Sequence, residues 1–201
     1  MFNAFMRPQS AVAAVPTIAA TAGPSSSDEA LVNRIAAGDR LAMQVLFARH
    51  RTPVYRWLRR FVRNETLAED LLSDVFLDVW RQAHRFEGRS SVSTWLISIA
   101  RFKALSARRR RVDAELDERI ETTVADKAND PEVALQEKNR SERLRSALTR
   151  LSIEHREIID LVYYHEKSVE ECAQLLGIPA ATVKTRMFYA RKKLAELVKD
   201  A

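Results

Sequence analysis

One cysteine and four histidines are all that this sequence offers to nucleophile or metal chemistry. Cys172 stands alone, so no internal disulfide can form. His50, His84, His155 and His165 show no ligand spacing to it or to one another, which argues against a structural zinc site. There is no glycine-rich nucleotide loop, no catalytic-triad spacing and no paired-carboxylate pocket pattern. The chain therefore reads as a non-enzyme without metal or cofactor, and Cys172 as a small buried hydrophobe rather than a redox centre.

What remains is binding chemistry. In SVEECAQLLGIPAATVKTRMFYARKKL, residues 168–194, two amphipathic runs flank a Gly-Ile-Pro break. Ser168 and Glu171 form a capping-box pattern, and Val169, Cys172, Ala173 and Leu176 share one face. Gly177 supplies the left-handed stop, and Pro179 opens the next helix. There Val183, Met187, Ala190, Leu194 and Leu197 repeat with a 3.6-residue period and face a core. Thr182, Lys184, Thr185, Arg186, Phe188, Tyr189 and Arg191 are left for a partner. This is a helix-turn-helix, whose second helix reads base edges in the major groove while its basic remainder holds phosphates.

A second constellation lies upstream. In AEDLLSDVFLDVWR, Asp70, Asp74 and Asp78 fall at i, i+4 and i+8, beside an apolar stripe of Leu71, Val75 and Val79. Solvent exposure with a favourable helix dipole accounts for Asp70, but the dipole fades before Asp78 and leaves that acid unexplained. The segment FEGRSSVST at 86–94 reads as a small polar loop. It precedes a helix carrying Arg101, Lys103, Arg108, Arg109, Arg110 and Arg111.

The elements that must position these groups are helices. Only 4 glycines and 7% aromatics in 201 residues argue against an all-β chain. Helices are expected at about 28–37, 40–51, 53–63, 67–83 and 94–110, then 132–150, 154–165, 169–176 and 180–198. Thr66 with Glu69 marks a third helix start, and Thr52-Pro53 and Asp130-Pro131 two more. Nine acids stand between 112 and 137 against Arg119 and Lys127, in a stretch too apolar-poor to build a core. The expected organisation is a disordered tail at 1–27, a helical domain at 28–111, an acidic linker at 112–131 and a helix-turn-helix domain at 132–201. The net charge of +6 suits a polyanionic partner. No apolar run reaches the ~20 residues of a membrane span. Pro8 and Pro16 break the Ala-rich start, which disfavours a cleaved signal and points to the cytoplasm.

The order of these motifs resembles the sigma-70 family, in its two-domain extracytoplasmic-function (ECF) branch. AEDLLSDVFLDVWR is similar to the family's polymerase-binding helix. F-x-G followed by STWLxxIA and a basic helix is similar to its −10 reader, and GIPAATVKTRMFYARKKL to its −35 reader. The likeness spans about 28–198. It implies that Asp70, Asp74, Leu77 and Asp78 dock on the beta-prime coiled coil of RNA polymerase core, with the beta flap as a further contact. It implies that Arg89, Ser90, Ser91, Ser93, Arg101, Lys103, Arg108 and Arg109 hold the −10 element and help extract a base, at a cost of a few kcal/mol of unstacking. Thr182, Lys184, Thr185, Arg186, Phe188, Tyr189 and Arg191 would read the −35 element. It also implies an anti-sigma partner. Elements ~17 base pairs apart lie ~58 Å from each other, and a linker of ~25 residues reaches ~80–90 Å. The sequence departs from the family's commoner Gln-Glu at Ser73-Asp74, where only Asp74 keeps the charge. It also has Phe102 near a position where many members carry Asn. The alternative function is a stand-alone helix-turn-helix regulator binding operators as a dimer.

Overall fold

A computed structural model describes residues 26–115 and 135–199, and side chains within 26–110 and 143–199. Among the described residues all regular structure is helical. All but the last two residues of the expected tail at 1–27, the Asp130-Pro131 helix start and most of the acidic linker lie outside them.

The N-terminal domain is built from α1 (Asp28–Ala36), α2 (Arg40–Val62), α3 (Glu65–Gln82) and α4 (Val92–Glu115), with one 3₁₀ turn at Ala83–Arg85. Short polar side chains start the helices by accepting otherwise unpaired backbone N–H groups. Ser27 accepts from Ala30 N at 3.2 Å. Asp39 accepts from Leu41 N at 2.9 Å and Ala42 N at 3.1 Å. Asn64 accepts from Leu67 N at 2.8 Å. The cap of α3 is thus Asn64 and not Thr66. Arg63, in the left-handed region at φ 56°, already ends α2 and leaves only one residue before α3.

α2 also corrects the expected break at Thr52-Pro53, because Pro53 lies inside one continuous helix. Proline removes one helical hydrogen bond but its φ is helical. Leu46, Val54, Trp57 and Leu58, on both sides of Pro53, are all buried, so tertiary packing holds the two halves in line.

The core collects Leu31, Val32 and Ile35 of α1, Leu71, Val75, Phe76 and Val79 of α3, and Leu96, Ile97, Ala100 and Ala104 of α4 around α2. Trp57 stacks on Phe61 at 4.9 Å, and Phe47 meets Phe76 edge-on at 4.8 Å. α4 begins at Val92 and runs to Glu115. It therefore takes Val92, Ser93 and Thr94 from the expected loop and the first four residues from the expected linker.

The C-terminal domain comprises α5 (Leu135–Arg150), α6 (Ile153–Tyr163), α7 (Val169–Leu176) and α8 (Ala180–Lys199). Ser168 and Glu171 form the reciprocal capping box, and Gly177 ends α7 at φ 67°. Cys172, Leu176, Val183, Met187, Ala190 and Leu197 are buried as their spacing predicts, together with Ile158 and Leu161 of α6.

Candidate polymerase and nucleic-acid interfaces

α3 turns its apolar stripe into the core, which leaves Asp70 and Asp74 outward. Leu77, 45% exposed, and Trp80 stand exposed on the same helix. Exposed apolar groups beside carboxylates are what a desolvating protein contact uses. Trp80 was not among the residues expected for docking. Its sequence cue is that it steps off the Leu71–Val75–Val79 stripe by one position.

Asp78 is less free than Asp70. Lys103 of α4 places Nζ 2.8 Å from Asp78 Oδ2 and 3.9 Å from Asp74 Oδ2. Lys103, expected to hold DNA phosphate, is thus turned away from Arg101 and ties α4 to α3.

The segment before α4 has Gly88 at φ 69° and Arg89 paired with Glu87 at the surface. Ser91 caps the helix, accepting from Thr94 N at 3.3 Å, and its Oγ also lies 2.8 Å from Thr94 Oγ1. Ser90 Oγ donates to Ser91 O at 3.4 Å. Trp95 is half-buried against Phe86, with ring centroids 5.0 Å apart, and reads as packing. Phe102 is 66% exposed, and Arg108 and Arg109 also face solvent.

The second helix of the helix-turn-helix presents Thr182, Lys184, Thr185, Phe188, Tyr189 and Arg191 to solvent, with Arg186 half-buried. Ala181, with its small side chain, is exposed on the same helix. Thr185 Oγ1 donates to Ala181 O at 3.0 Å. Phe188 and Tyr189 pack edge to face at 5.4 Å, which makes one outward aromatic corner.

The two domains touch, in part through three of the expected −10 residues, Ser91, Ser93 and Arg101, and in part through Arg60 of α2, which pairs with Asp160 of α6 at 2.8 Å. Arg101 Nε donates to Glu157 Oε1 of α6 at 2.7 Å. Ser93 Oγ accepts from Lys167 Nζ at 2.7 Å, and Thr94 Oγ1 donates to Glu171 Oε1 at 2.5 Å. Burial pushes the Glu157 carboxyl above the usual range, with Arg101 offsetting part of that. Burial also raises Glu171, but Thr94, the Ser168 N–H and Lys167 together hold it below the usual range. Nothing in the sequence paired these surfaces.

The described residues contain no cluster of His, Cys, Asp and Glu able to hold a metal, and no helix long and apolar enough to cross a membrane. Burial pushes the Cys172 thiol up to about 11, so it is protonated and unreactive at neutral pH.

Comparison with known proteins matches each half separately. Residues 46–113 match the family model "Sigma-70 region 2" and residues 141–194 match "Sigma-70, region 4". The chain is 34% identical to the ECF RNA polymerase sigma factor SigM of Mycobacterium tuberculosis, over 86% of this chain and 85% of that one. It is 36% identical to the RNA polymerase sigma factor CarQ of Myxococcus xanthus, over 83% and 95%. Among solved structures it is similar to the sigma factor RpoE of Bartonella quintana, crystallised with the anti-sigma factor NepR. That match has a TM-score of 0.64 and 28% identity over 76% of this chain and 94% of that one.

Proposed function

This chain belongs to the ECF branch of the sigma-70 family, and we propose on that premise how its surfaces divide the work of a sigma factor. A sigma factor directs RNA polymerase core to promoters and supports transcription initiation. It works as a binding subunit, and no residue here is assigned a catalytic step. The operator-binding dimer is not favoured.

Residues 28–111 form the domain that docks on core and holds the −10 element, and residues 132–201 the domain that reads the −35 element. Asp70 and Asp74, with Leu77 and Trp80, make the core contact on α3. Ser91, Ser93, Arg101, Arg108 and Arg109 take the opened −10 strand, and Arg89 and Ser90 line the approach to it. Lys184, Thr185, Phe188 and Tyr189 meet base edges of the −35 element, while Arg186 and Arg191 hold phosphates and Thr182 sits at the groove entrance. An anti-sigma factor is a further partner, as the relative crystallised with NepR has one. The site of action is the cytoplasm, where polymerase and promoter meet.

The observation that carries this reading is the separation of chemistries within one chain. An acidic and apolar face on α3 suits a protein, while basic faces on α4 and α8 suit nucleic acid. Run-off transcription with purified core polymerase on a promoter library tests it. Initiation should depend on the added chain. Tight binding to duplex operators by the chain alone, with no initiation added to core, would sink the reading.

A further inference from the structure

Phe102 of α4 is the most exposed large hydrophobic side chain among the described residues, at 66%. A single exposed ring needs no explanation by itself, so its surroundings decide. Trp95, Phe102 and Arg109 follow one another at intervals of seven residues. Seven residues make nearly two full turns, so the three line one edge of α4, about 10 Å apart along the axis. Ser98 and Ser106, one turn before and after Phe102, flank the ring. Trp95 is half-buried against Phe86, while Ser98, Phe102 and Arg109 face solvent.

This edge belongs to a helix with only one sign of charge. From Val92 to Val112 there is no acid, against Arg101, Lys103 and Arg108 to Arg111. Two of these cations are committed within the protein, Lys103 to Asp78 and Arg101 to Glu157. Arg109 Nη2 donates to Ser106 Oγ at 3.4 Å, a long bond that leaves the exposed guanidinium available to an anion. A ring and a guanidinium on an acid-free edge complement a nucleotide, which supplies both an aromatic face and a phosphate. A protein partner would have to serve the two with separate groups.

The chemistry of the ring limits what it does there. A phenyl group has no donor and no acceptor, so it cannot hydrogen-bond to a base edge. What it offers is its face. In a duplex the base faces are buried against one another, so only a base that has left the stack can cover Phe102. Every base has such a face, so the contact is nearly indifferent to which base it is.

We infer that an unpaired base of the opened −10 strand stacks on Phe102, with a phosphate of the same strand on Arg109. This role rests on the assignment of α4 to that strand. Phe102 then determines how firmly the strand is held open and not which sequence is chosen. The choice of sequence is left to side chains that carry donors and acceptors.

The test uses holoenzyme, the chain with purified core polymerase, on a promoter that it transcribes in run-off, with the −10 segment left unpaired by mismatches. Phe102→Ala should weaken binding to this template roughly five- to 150-fold, the range for losing one base stacked on an aromatic ring. Phe102→Tyr and Phe102→Trp keep a ring and should stay within about threefold of the parent. Phe102 is exposed, so the thermal midpoint of Phe102→Ala should match the parent's. Single abasic sites walked along each unpaired strand locate the stacked base. At one position the abasic site should cost the parent about as much as Phe102→Ala does, and should cost Phe102→Ala nothing more. Replacing that base by any other should change the parent's affinity less than about threefold. Affinity for core without DNA should be the parent's in all three variants. Weaker core binding by Phe102→Ala would assign the ring to a protein contact and overturn the stacking role. Abasic losses that add to that of Phe102→Ala at every position would overturn it too, as would a loss that only one base type produces. A parent that initiates on no promoter removes the sigma reading and this role with it, whereas an initiating parent matched by Phe102→Ala removes this role alone.

Discussion

Lys103 of α4 lies 2.8 Å from Asp78 of α3, and the pair joins the two helices. The Lys103 side chain is only 18% exposed and that of Asp78 only 22%, so each satisfies the other in a part-buried setting. Asp70 and Asp74 remain the more exposed acids of α3, and on the proposed reading they are the ones offered to core.

Lys103→Ala should therefore act on stability. We expect a loss of about 1–2 kcal/mol in the unfolding free energy of the N-terminal domain, the scale of a part-buried charge-assisted bond. Urea denaturation followed by helicity measures it. A drop in single-strand affinity with no change in stability would return Lys103 to the phosphate-contact role.

Trp80→Ala and Leu77→Ala should each weaken core binding by about 1–3 kcal/mol, as anchoring side chains at a protein interface do. Leu77 is 45% exposed and Trp80 36%, so Leu77→Ala should move the thermal midpoint little, while Trp80→Ala also loses packing and is read against its own midpoint. Titration of labelled core with each variant gives the affinity. Unchanged affinity in both would remove this apolar edge from the docking face.

Lys184→Ala and Thr185→Ala should cost about 1–3 kcal/mol per true base contact at the −35 element. Competition between a selected promoter duplex and a scrambled one separates the roles. Equal losses on both duplexes would make these residues phosphate contacts.

Much of this was legible in the sequence, and the failures have physical causes. The stripes Leu71–Val75–Val79 and Val183–Met187–Ala190 are local periodicities, and each lands in a core. The turn after α7 was legible because Gly177 adopts the left-handed conformation that its position demands. Pro53 misled because a proline signals a helix start only where packing does not continue through it, and Leu46 and Trp57 anchor both sides. Exposed residues of α8 were legible as the complement of its buried stripe. The pairing of Arg101 with Glu157, 56 residues apart, was not. Helical periodicity says which face is polar, and nothing in it says which other polar face will meet it.

Asp28 anchors α1 to α2 through Arg49 Nη1 at 2.8 Å and His50 Nε2 at 2.7 Å. Burial raises its carboxyl, but Arg49 and His50 more than offset this, so its folded value lies below the ordinary 3.8. A depressed carboxylate contributes stability above its unfolded value that is lost as pH falls through the folded value. The parent should thus lose stability below pH about 3.8 by this route, and Asp28→Asn should lack that component. At neutral pH Asp28→Asn should be about 1–2 kcal/mol less stable. Thermal melts across the acid range report it, and identical pH profiles for the two proteins would reject the role.

The most direct measurement is core binding and run-off initiation by the Asp70→Lys/Asp74→Lys variant beside the parent. The account predicts that the variant loses core affinity by at least roughly 30-fold, the scale of reversing charges in a protein–protein contact. It also predicts that promoter-dependent transcription falls with it, while affinity for duplex −35 DNA stays that of the parent. A variant that binds core and initiates as well as the parent would contradict the assignment of α3 as the docking helix.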